Sequence, residues 1–329
     1  MTLLVNKPGM LSTIQDLGRN GWQKAGVSTS GAMDSWALRL ANALVGNEPG
    51  AACLEITLSG PELCFEEGHW IAITGADLSP VIGDRRVPMN RPVYVRKGTV
   101  LAFTVPVKGL RTYLAVDGGI DVPEVLGSRS TALQAQFGGL NGRAIQSGDR
   151  LPAGRKSAFP HRLLQKDEAF YYVNWTVNPR LLPYHHPRLI RVVAGREWAA
   201  FSKPARRNFL YTAYEVTRDS NRMGARLSGL KLELKKEKSL ISSPVSVGTV
   251  QVPANGQPIL LLQDRQTTGG YPMIAHVISA DLPKAAQARP GDKLSFRKVS
   301  LEEAQRLLID QEKKLQSIIR SIRIKRSEF

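Results

Sequence analysis

Residues 263–272 read QDRQTTGGYP and bring an acid, a base, two amides, two hydroxyls, a Gly pair and a phenol to one point in the chain. They follow the apolar run PILLL, which is typical of a buried strand. Asp264 and Tyr271 could position a proton transfer or hold an amide-like substrate beside the Thr-Thr-Gly-Gly turn. Alternatively, Asp264 and Arg265 only cap that turn.

Three further stretches are equally dense in polar side chains. They are residues 12–34, residues 127–131 with 138–143, and residues 218–229. Gly beside Ser, Thr and Arg lets backbone N–H groups approach an anion, and Arg can hold a carboxylate or phosphate through two bonds. Any one stretch is also typical of turns with solvated side chains. Four in one chain favour a site for a small polar or anionic ligand, and acyl or carboxyl transfer is a chemistry that fits.

Several common sites are missing from the sequence. It contains no G-x-x-x-x-G-K-[ST] phosphate loop, no G-x-G-x-x-G between a strand and a helix, and no G-x-S-x-G elbow. His185 and His186 are adjacent, but no Cys or carboxylate stands at ligand spacing from them. We therefore predict no metal in this chain. Cys53 and Cys64 lie among apolar residues, which indicates reduced structural thiols.

Short apolar runs separated by Gly, Asp and Pro predict a mainly β protein with a few helices. Residues 1–155 form one strand-rich segment, 156–187 a polar connector and 188–299 a second strand-rich segment. LAVDGG and LLQDRQTTGG each lead from a strand through Asp to a Gly pair, and the Gly-Asp turns SGDRL and PGDKL follow them. This weak repeat indicates two related β-domains, although Gly-Asp turns are common enough to recur by chance.

Two segments carry helical periodicity. Residues 30–45 place their apolar side chains at i, i+3 and i+4, and Gly46 follows as a stop signal. Residues 300–329 begin with Ser300 and Glu303 in capping-box spacing and carry an apolar residue every seven positions. We expect the first half of this C-terminal helix to pack on the protein. We expect the second half, which is basic, to fray or bind a partner.

The charge balance is strongly basic, with 45 Lys and Arg against 28 Asp and Glu in 329 residues. The basic residues are scattered, and no nucleic-acid-binding motif accompanies them, so we predict no nucleic-acid partner. A solvated face or an acidic protein partner explains the charge better. No apolar run is long enough to span a bilayer and the N-terminus does not read as a signal peptide, so we expect a cytoplasmic protein.

The polar stretches also carry a family resemblance. TIQDLGRNGWQKAGVSTSGAMD, LEITLSGPEL, YLAVDGGIDVPEVLGSRST, SNRMGARLSG and GTVQVPANGQPILLLQDRQTTGGYP stand in the order and spacing of one family. The chain resembles the carboxyltransferase domains that include allophanate hydrolase subunit 2, the carboxyltransferase part of urea carboxylase and KipA-like proteins. The resemblance implies two cyclophilin-like β-barrel domains with the active cleft between them.

The resemblance also implies a function. It points first to the C component of an ATP-dependent 5-oxoprolinase, which yields L-glutamate together with a KipI-like B component and a LamB/YcsF-like A component. One alternative is transfer of CO2 from carboxybiotin to urea or a similar amide. Because the chain has no A-M-K-M biotin-attachment motif, that biotin would come from another protein. Another alternative is a regulatory antagonist that binds a KipI-like kinase inhibitor.

Within this reading the polar stretches receive roles. The catalytic candidates are Asp264, Tyr271 and Asp16, with Asp16 or Asp264 as the general base. The substrate-binding candidates are Gln15, Arg19, Arg222, Arg226, Gln266, Thr267, Thr268, Gly269 and Gly270. One departure from the family stands out: Ser243 lies where many relatives carry a carboxylate, so the activity of this chain could differ from theirs.

Overall fold

The computed structural model describes residues 2–154, 168–184, 186, 188–236 and 240–328. Much of the expected connector at 156–187 therefore lies outside the described residues. The chain divides into two compact units. Unit 1 comprises Met1–Arg19, Ser30–Leu182 and Lys314–Phe329, and unit 2 comprises Asn20–Thr29 and Pro183–Lys313.

Unit 1 contains two six-stranded antiparallel sheets. Its strands are β1 Thr2–Lys7, β2 Leu11–Gln15, β3 Cys53–Thr57, β4 Glu62–Phe65, β5 His69–Asp77, β6 Pro80–Ile82, β7 Arg85–Arg86, β8 Val93–Val95, β9 Val100–Phe103, β10 Lys108–Val116, β11 Arg150–Pro152 and β12 Phe170–Tyr172. One sheet has the order β11-β1-β4-β9-β6-β7 and the other β12-β8-β5-β10-β3-β2. A core cluster draws apolar side chains from both sheets, among them Leu3, Phe65 and Ile71.

Helix α1, Ser35–Val45, packs on the β5–β10 region of the second sheet, where the Thr74 hydroxyl donates to the Ala37 carbonyl at 2.7 Å. This explains why β5 and β10 are buried almost throughout rather than alternating. The helix begins five residues later than the periodicity predicted. Asp34 is the N-cap and accepts a bond from the Ala37 N–H at 3.0 Å, whereas Ser30 has a left-handed backbone with φ of 48°.

Unit 2 contains a closed seven-stranded barrel in the order β13-β20-β17-β18-β15-β14-β21. Its strands are β13 Leu189–Ala194, β14 Tyr214–Val216, β15 Gly224–Ser228, β16 Ser243–Pro244, β17 Thr249–Gln251, β18 Ile259–Leu261, β19 Thr268–Gly269, β20 Met273–Val277 and β21 Lys293–Lys298, with helices α2 Lys203–Tyr211 and α3 Leu282–Ala286. β16 and β19 pair only with each other. The predicted mainly-β fold with a few helices is thereby confirmed.

The C-terminal helix α4, Leu301–Ser327, confirms the predicted element and its cap, because the Glu303 N–H donates to the Ser300 hydroxyl at 3.1 Å. The expectation that its first half packs on the protein was correct, and the expectation that its second half frays or binds a partner was wrong. Its second half is the better buried, through Leu315, Ile318, Ile319 and Ile322. In the first half Leu301 is 59% exposed, and packing is limited to partly buried side chains such as Leu307. The apolar residues of the second half outweigh its basic composition.

None of the helices in the described part of the chain is long and apolar enough to cross a membrane.

Candidate functional site

In unit 1, Asp16 follows β2 directly and ties the first two polar stretches together. Its carboxylate accepts bonds from the Ser128 hydroxyl at 2.7 Å, the Arg129 N–H at 2.6 Å and the Gly18 N–H at 2.7 Å, and also from the Ser130 hydroxyl. We call Asp16 with residues 128–130 the Asp16 cluster. Oδ1 accepts three of these bonds and Oδ2 accepts one, so the carboxylate has four donors from its own chain and Oδ2 keeps one acceptor position.

Gln15 and Arg19 are buried beside the Asp16 cluster. Gln15 donates to the Thr131 carbonyl at 3.2 Å and accepts from the Gly31 N–H at 3.1 Å. The Arg19 guanidinium donates to the Ser130 carbonyl and lies 4.7 Å from the ring centre of Phe137. These hydrogen bonds hold backbone in place. The assignment of both residues to substrate binding stays a prediction.

Close packing also fixes a glycine of the GGLNGR stretch. Gly138 has φ of +70°, and a Cβ there would lie 2.3 Å from the Ser130 carbonyl oxygen and 2.7 Å from the Arg19 guanidinium. Neither the backbone conformation nor the space admits a side chain. The Gly-rich stretch is therefore explained by packing against the loop that carries Ser128 and Ser130.

In unit 2, Arg222 and Asp264 form a buried ion pair. The Arg222 guanidinium donates to both carboxylate oxygens, at 2.8 and 3.1 Å, and the two side chains are 3% and 4% exposed. Strand pairing sets this geometry, because Gly224 pairs with Leu261 and the Asp264 N–H donates to the Arg222 carbonyl at 3.0 Å. The third and fourth polar stretches thus meet through one charged pair.

The Thr-Thr-Gly-Gly turn follows Asp264 closely in the sequence, and two of its residues belong to the two-stranded sheet of β16 and β19. Ser243 pairs with Gly269 and Pro244 with Thr268. A Cβ at Gly269 would lie 2.7 Å from the amide nitrogen of Gln251 and 3.0 Å from that of Gln266. The turn is therefore crowded by amide groups. Ser243, at the position where many relatives are expected to carry a carboxylate, lies directly beside it.

The remaining predicted residues of unit 2 are more open. Tyr271 is 49% exposed. Arg226 is exposed on β15, whereas Arg222 is buried before that strand begins, so the two arginines have different surroundings despite their spacing of four. Thr267 and Gly270 are partly exposed, and Gln266 and Thr268 are exposed.

Sequence reasoning missed the surroundings of Arg265. Its guanidinium donates to the Val245 carbonyl at 3.3 Å, the Thr29 hydroxyl at 3.2 Å and the Gln23 amide oxygen at 3.3 Å. Gln23 in turn donates to the Val245 and Thr267 carbonyls. Burial lowers the pKa of Arg265 from its ordinary value. We call Arg265 with Gln23, Thr29 and Val245 the Arg265 cluster.

Comparison with known proteins agrees with this architecture. Residues 25–298 match the family described as carboxyltransferase domain, subdomain A and B. The chain belongs to this family. The match spans most of the chain and confirms the resemblance read from the polar stretches.

Two curated members of the family are similar over nearly their whole length, and both are named as the C component of 5-oxoprolinase. The protein from Escherichia coli is 40% identical over 94% of this chain and 96% of its own. The protein from Haemophilus influenzae is 38% identical over 90% of this chain and 91% of its own. Among solved structures, the Kluyveromyces lactis urea amidolyase superimposes with a TM-score of 0.86 at 32% identity. This chain covers 20% of that much longer protein.

Two further polar networks contain none of the predicted site residues. In unit 1 the Tyr113 hydroxyl donates to Glu55 at 2.7 Å and accepts from the Asp34 N–H at 2.8 Å. Burial and the Glu55 carboxylate raise the pKa of Tyr113 well above its ordinary value. In unit 2, burial lowers the pKa of His276, whose ring lies 3.1 Å from the Thr249 hydroxyl. Neither network has a sequence signature beyond alternating strand residues.

Two further expectations concern metals and thiols. Within the described ranges, no group of three or more His, Cys, Asp or Glu side chains could hold a metal ion. Cys53 and Cys64 are both free, which agrees with their predicted reduced state. Burial raises the pKa of the Cys53 thiol, so it is a packing residue rather than a nucleophile.

Proposed function

We propose that this chain is the C component of a 5-oxoprolinase, acting in a complex that opens the lactam of 5-oxoproline to L-glutamate. The observation that carries the proposal is the nearly end-to-end match with two proteins of that name, at 40% and 38% identity. A urea amidolyase of Lachancea kluyveri matches at 33% identity, but this chain spans 18% of it. The length and identity of the match therefore favour the 5-oxoprolinase role.

Asp264 is our first candidate for a catalytic group in this reaction. Arg222 occupies one acceptor position on each carboxylate oxygen, which fixes the orientation of Asp264 and leaves further lone pairs to accept a proton or a substrate N–H. Tyr271 is half exposed, and its hydroxyl could donate to the nitrogen released from the lactam. Gln266, Thr267, Thr268, Gly269 and Gly270 would position the amide, and Arg226 an anionic group.

Asp16 is the weaker catalytic candidate. Its Oδ1 already accepts bonds from Gly18, Ser128 and Ser130, and its Oδ2 accepts one from Arg129, so only one position on Oδ2 is left to accept a proton. We therefore propose that Asp16 acts by holding its loop in place, with Gln15 and Arg19 supporting the same loop.

ATP is expected to bind to the complex rather than to this chain alone. Arg222 and the Thr-Thr-Gly-Gly turn do not fit a triphosphate well: Arg222 is already paired with Asp264, and neither Gly269 nor Gly270 has the positive φ that backbone anion nests use. We propose that ATP is bound with the help of the partner proteins, a KipI-like B component and a LamB/YcsF-like A component.

Reconstitution tests the proposal. The chain is co-purified with the two partner proteins, and glutamate formation and ATP hydrolysis are measured together with 5-oxoproline as substrate. We expect glutamate from the three-protein complex and a loss of at least about 100-fold in kcat for Asp264→Ala. Asp219→Ala, an exposed acid of the same unit, is the matched control. Unchanged turnover in a folded Asp264→Ala complex would remove Asp264 from the mechanism.

Carboxyl transfer is the second candidate function. The TM-score of 0.86 with a urea amidolyase over 96% of this chain favours it. It predicts that the chain consumes carboxybiotin supplied by another protein and transfers CO2 to an amide. A complex that consumes carboxybiotin and forms no glutamate from 5-oxoproline would favour this function over the first.

A further inference from the structure

Arg265 is a buried cation whose partners are all neutral. The residue is 5% exposed, and its bonds go to a carbonyl, a hydroxyl and an amide oxygen at 3.2 to 3.3 Å. These distances lie at the long end of the usual range, and charge-assisted bonds to a carboxylate are normally shorter. Among the residues that the structure describes, no carboxylate forms an ion pair with Arg265.

Two other arginines of unit 2, the buried Arg222 and the partly exposed Arg191, each have a carboxylate partner. Arg222 is paired with Asp264 at 2.8 Å, and Arg191 with Asp281 at 2.7 Å. Asp264 adjoins Arg265 in the chain, yet its carboxylate is turned to Arg222. A buried charge without a counter-ion is unfavourable, so an anionic ligand that pairs with it would gain a favourable interaction.

The surroundings of Arg265 suit a ligand. An arginine carries five N–H donors, and the three neutral partners occupy three of them, which leaves two for a further acceptor. The Arg265 cluster is joined to the Thr-Thr-Gly-Gly turn, because Gln23 donates to the Thr267 carbonyl and the Val245 N–H donates to the same oxygen at 3.0 Å. A ligand beside this turn would lie next to a preformed guanidinium.

We propose that Arg265, rather than the exposed Arg226, binds the carboxylate of a small monoanionic substrate. One uncompensated positive charge matches one negative charge, whereas a di- or triphosphate would require more. A planar guanidinium with two spare donors also matches the geometry of a carboxylate. The proposal rests on the proposed function for the identity of the ligand, since 5-oxoproline has a single carboxylate attached to its lactam ring.

Binding to the assembled complex tests this assignment without requiring turnover. Calorimetric titration without ATP compares 5-oxoproline with its neutral amide, 5-oxoprolinamide, which keeps the lactam and loses the charge. We expect the wild-type complex to prefer the acid by roughly 10- to 100-fold, the range for one charge-assisted contact. Arg265→Gln should remove this preference, and Arg265→Lys, which keeps the charge without the fork, should retain part of it.

Controls separate this proposal from others. Arg297→Lys, at an exposed arginine of the same barrel, should keep the full preference. Thermal unfolding of each complex checks folding. If Arg265→Gln does not fold, the preference for the acid is measured with Arg265→Lys instead.

The assignment is overturned if the wild-type complex binds neither compound or binds both equally well. It is overturned as well if the folded Arg265 variant prefers the acid as strongly as the wild type does. It is also overturned if inorganic phosphate displaces 5-oxoproline at lower concentration than acetate and does so through Arg265. Glutamate formation is measured separately. Binding with the expected preference but without glutamate would therefore refute the proposed function and leave the carboxylate site intact.

Discussion

Asp16 in unit 1 and Arg265 in unit 2 are both charged, both nearly buried and both part of a polar loop. The Asp16 carboxylate is surrounded by two hydroxyls and two N–H groups, all of which donate to it. The Arg265 guanidinium is surrounded by three neutral oxygens at longer distances. The Asp16 charge is therefore solvated more closely by its own chain than the Arg265 charge is.

The difference separates two uses of polar residues that look alike in a sequence. A buried ion with several short hydrogen bonds to its own chain holds loops together, and removing it leaves orphaned donors. A buried ion whose partners are few, neutral and distant is a place where a ligand can add bonds, usually at some expense of stability. The Arg222–Asp264 pair lies between these cases, because its charges balance while its carboxylate keeps free lone pairs.

The largest effect on stability is expected at the Asp16 cluster. Asp16→Ala removes an ionised acceptor and leaves two hydroxyls and two N–H groups without it, which should lower the free energy of unfolding by about 4–5 kcal/mol. Urea denaturation of the purified chain measures this. Asp121→Ala, whose side chain is 63% exposed, should change the free energy by less than about 0.5 kcal/mol. Equal effects at the two positions would contradict the structural role of the cluster.

Breaking the Arg222–Asp264 pair should have the next largest effect. Arg222→Met leaves a buried carboxylate unpaired and should lower the free energy of unfolding by about 3–4 kcal/mol. The double variant Arg222→Met/Asp264→Leu removes both charges and should recover most of that loss, while glutamate formation stays abolished. A double variant as unstable as the single one would show that the pair is not an electrostatic unit.

The Arg191–Asp281 pair allows a charge that has a counter-ion to be compared with Arg265 through the pH dependence of stability. Burial raises the pKa of Asp281, but bonds from Arg191 and Lys284 outweigh it, so the pKa lies below its ordinary value. The pair therefore stabilises the fold above the unfolded-state pKa, and this stabilisation is lost as the pH falls through the folded-state pKa.

Asp281→Asn should therefore lower the free energy of unfolding by roughly 2 kcal/mol at pH 7 and by progressively less towards pH 3. Arg265→Gln should instead change the free energy by the same amount across this range, because no described carboxylate pairs with Arg265. Denaturant titrations at several pH values check both expectations. A pH-independent difference for Asp281→Asn would show that its carboxylate gains nothing from Arg191.

The sequence predicted those features that depend on local pattern. Ser300 and Glu303 correctly marked the start of α4, and Gly-punctuated runs correctly indicated a mainly β chain. The start of α1 was misplaced because the apolar periodicity does not identify the cap; Asp34 is the N-cap, and Ser30 has a left-handed backbone. Local patterns cannot resolve a choice that the tertiary structure makes.

Packing partners were less predictable than elements. The heptad apolar residues of α4 look equivalent in sequence, yet Leu315 and Ile322 are buried while Leu301 and Leu308 are exposed. The contacts of Arg265 likewise join residues more than two hundred positions apart, Gln23 and Thr29, which no periodicity connects. The family resemblance pointed to the polar stretches but could not say which charges within them are balanced.

The smallest effect on stability is expected for Arg265→Met. This substitution is the most direct test of the difference between Asp16 and Arg265. The substitution gives up three long hydrogen bonds but also removes a desolvated charge that has no counter-ion, so these contributions should cancel to within about 1 kcal/mol. Arg191→Met is the matched control, because it strands the Asp281 carboxylate and should cost about 2 kcal/mol or more. Urea denaturation of both variants at pH 7 measures the two changes in the free energy of unfolding.

A loss of stability at Arg265 as large as that at Arg191 would mean that the neutral partners of Arg265 solvate the guanidinium as completely as a carboxylate does. Arg265 would then belong with Asp16 among the residues that hold the fold, and the carboxylate of the substrate would need another partner.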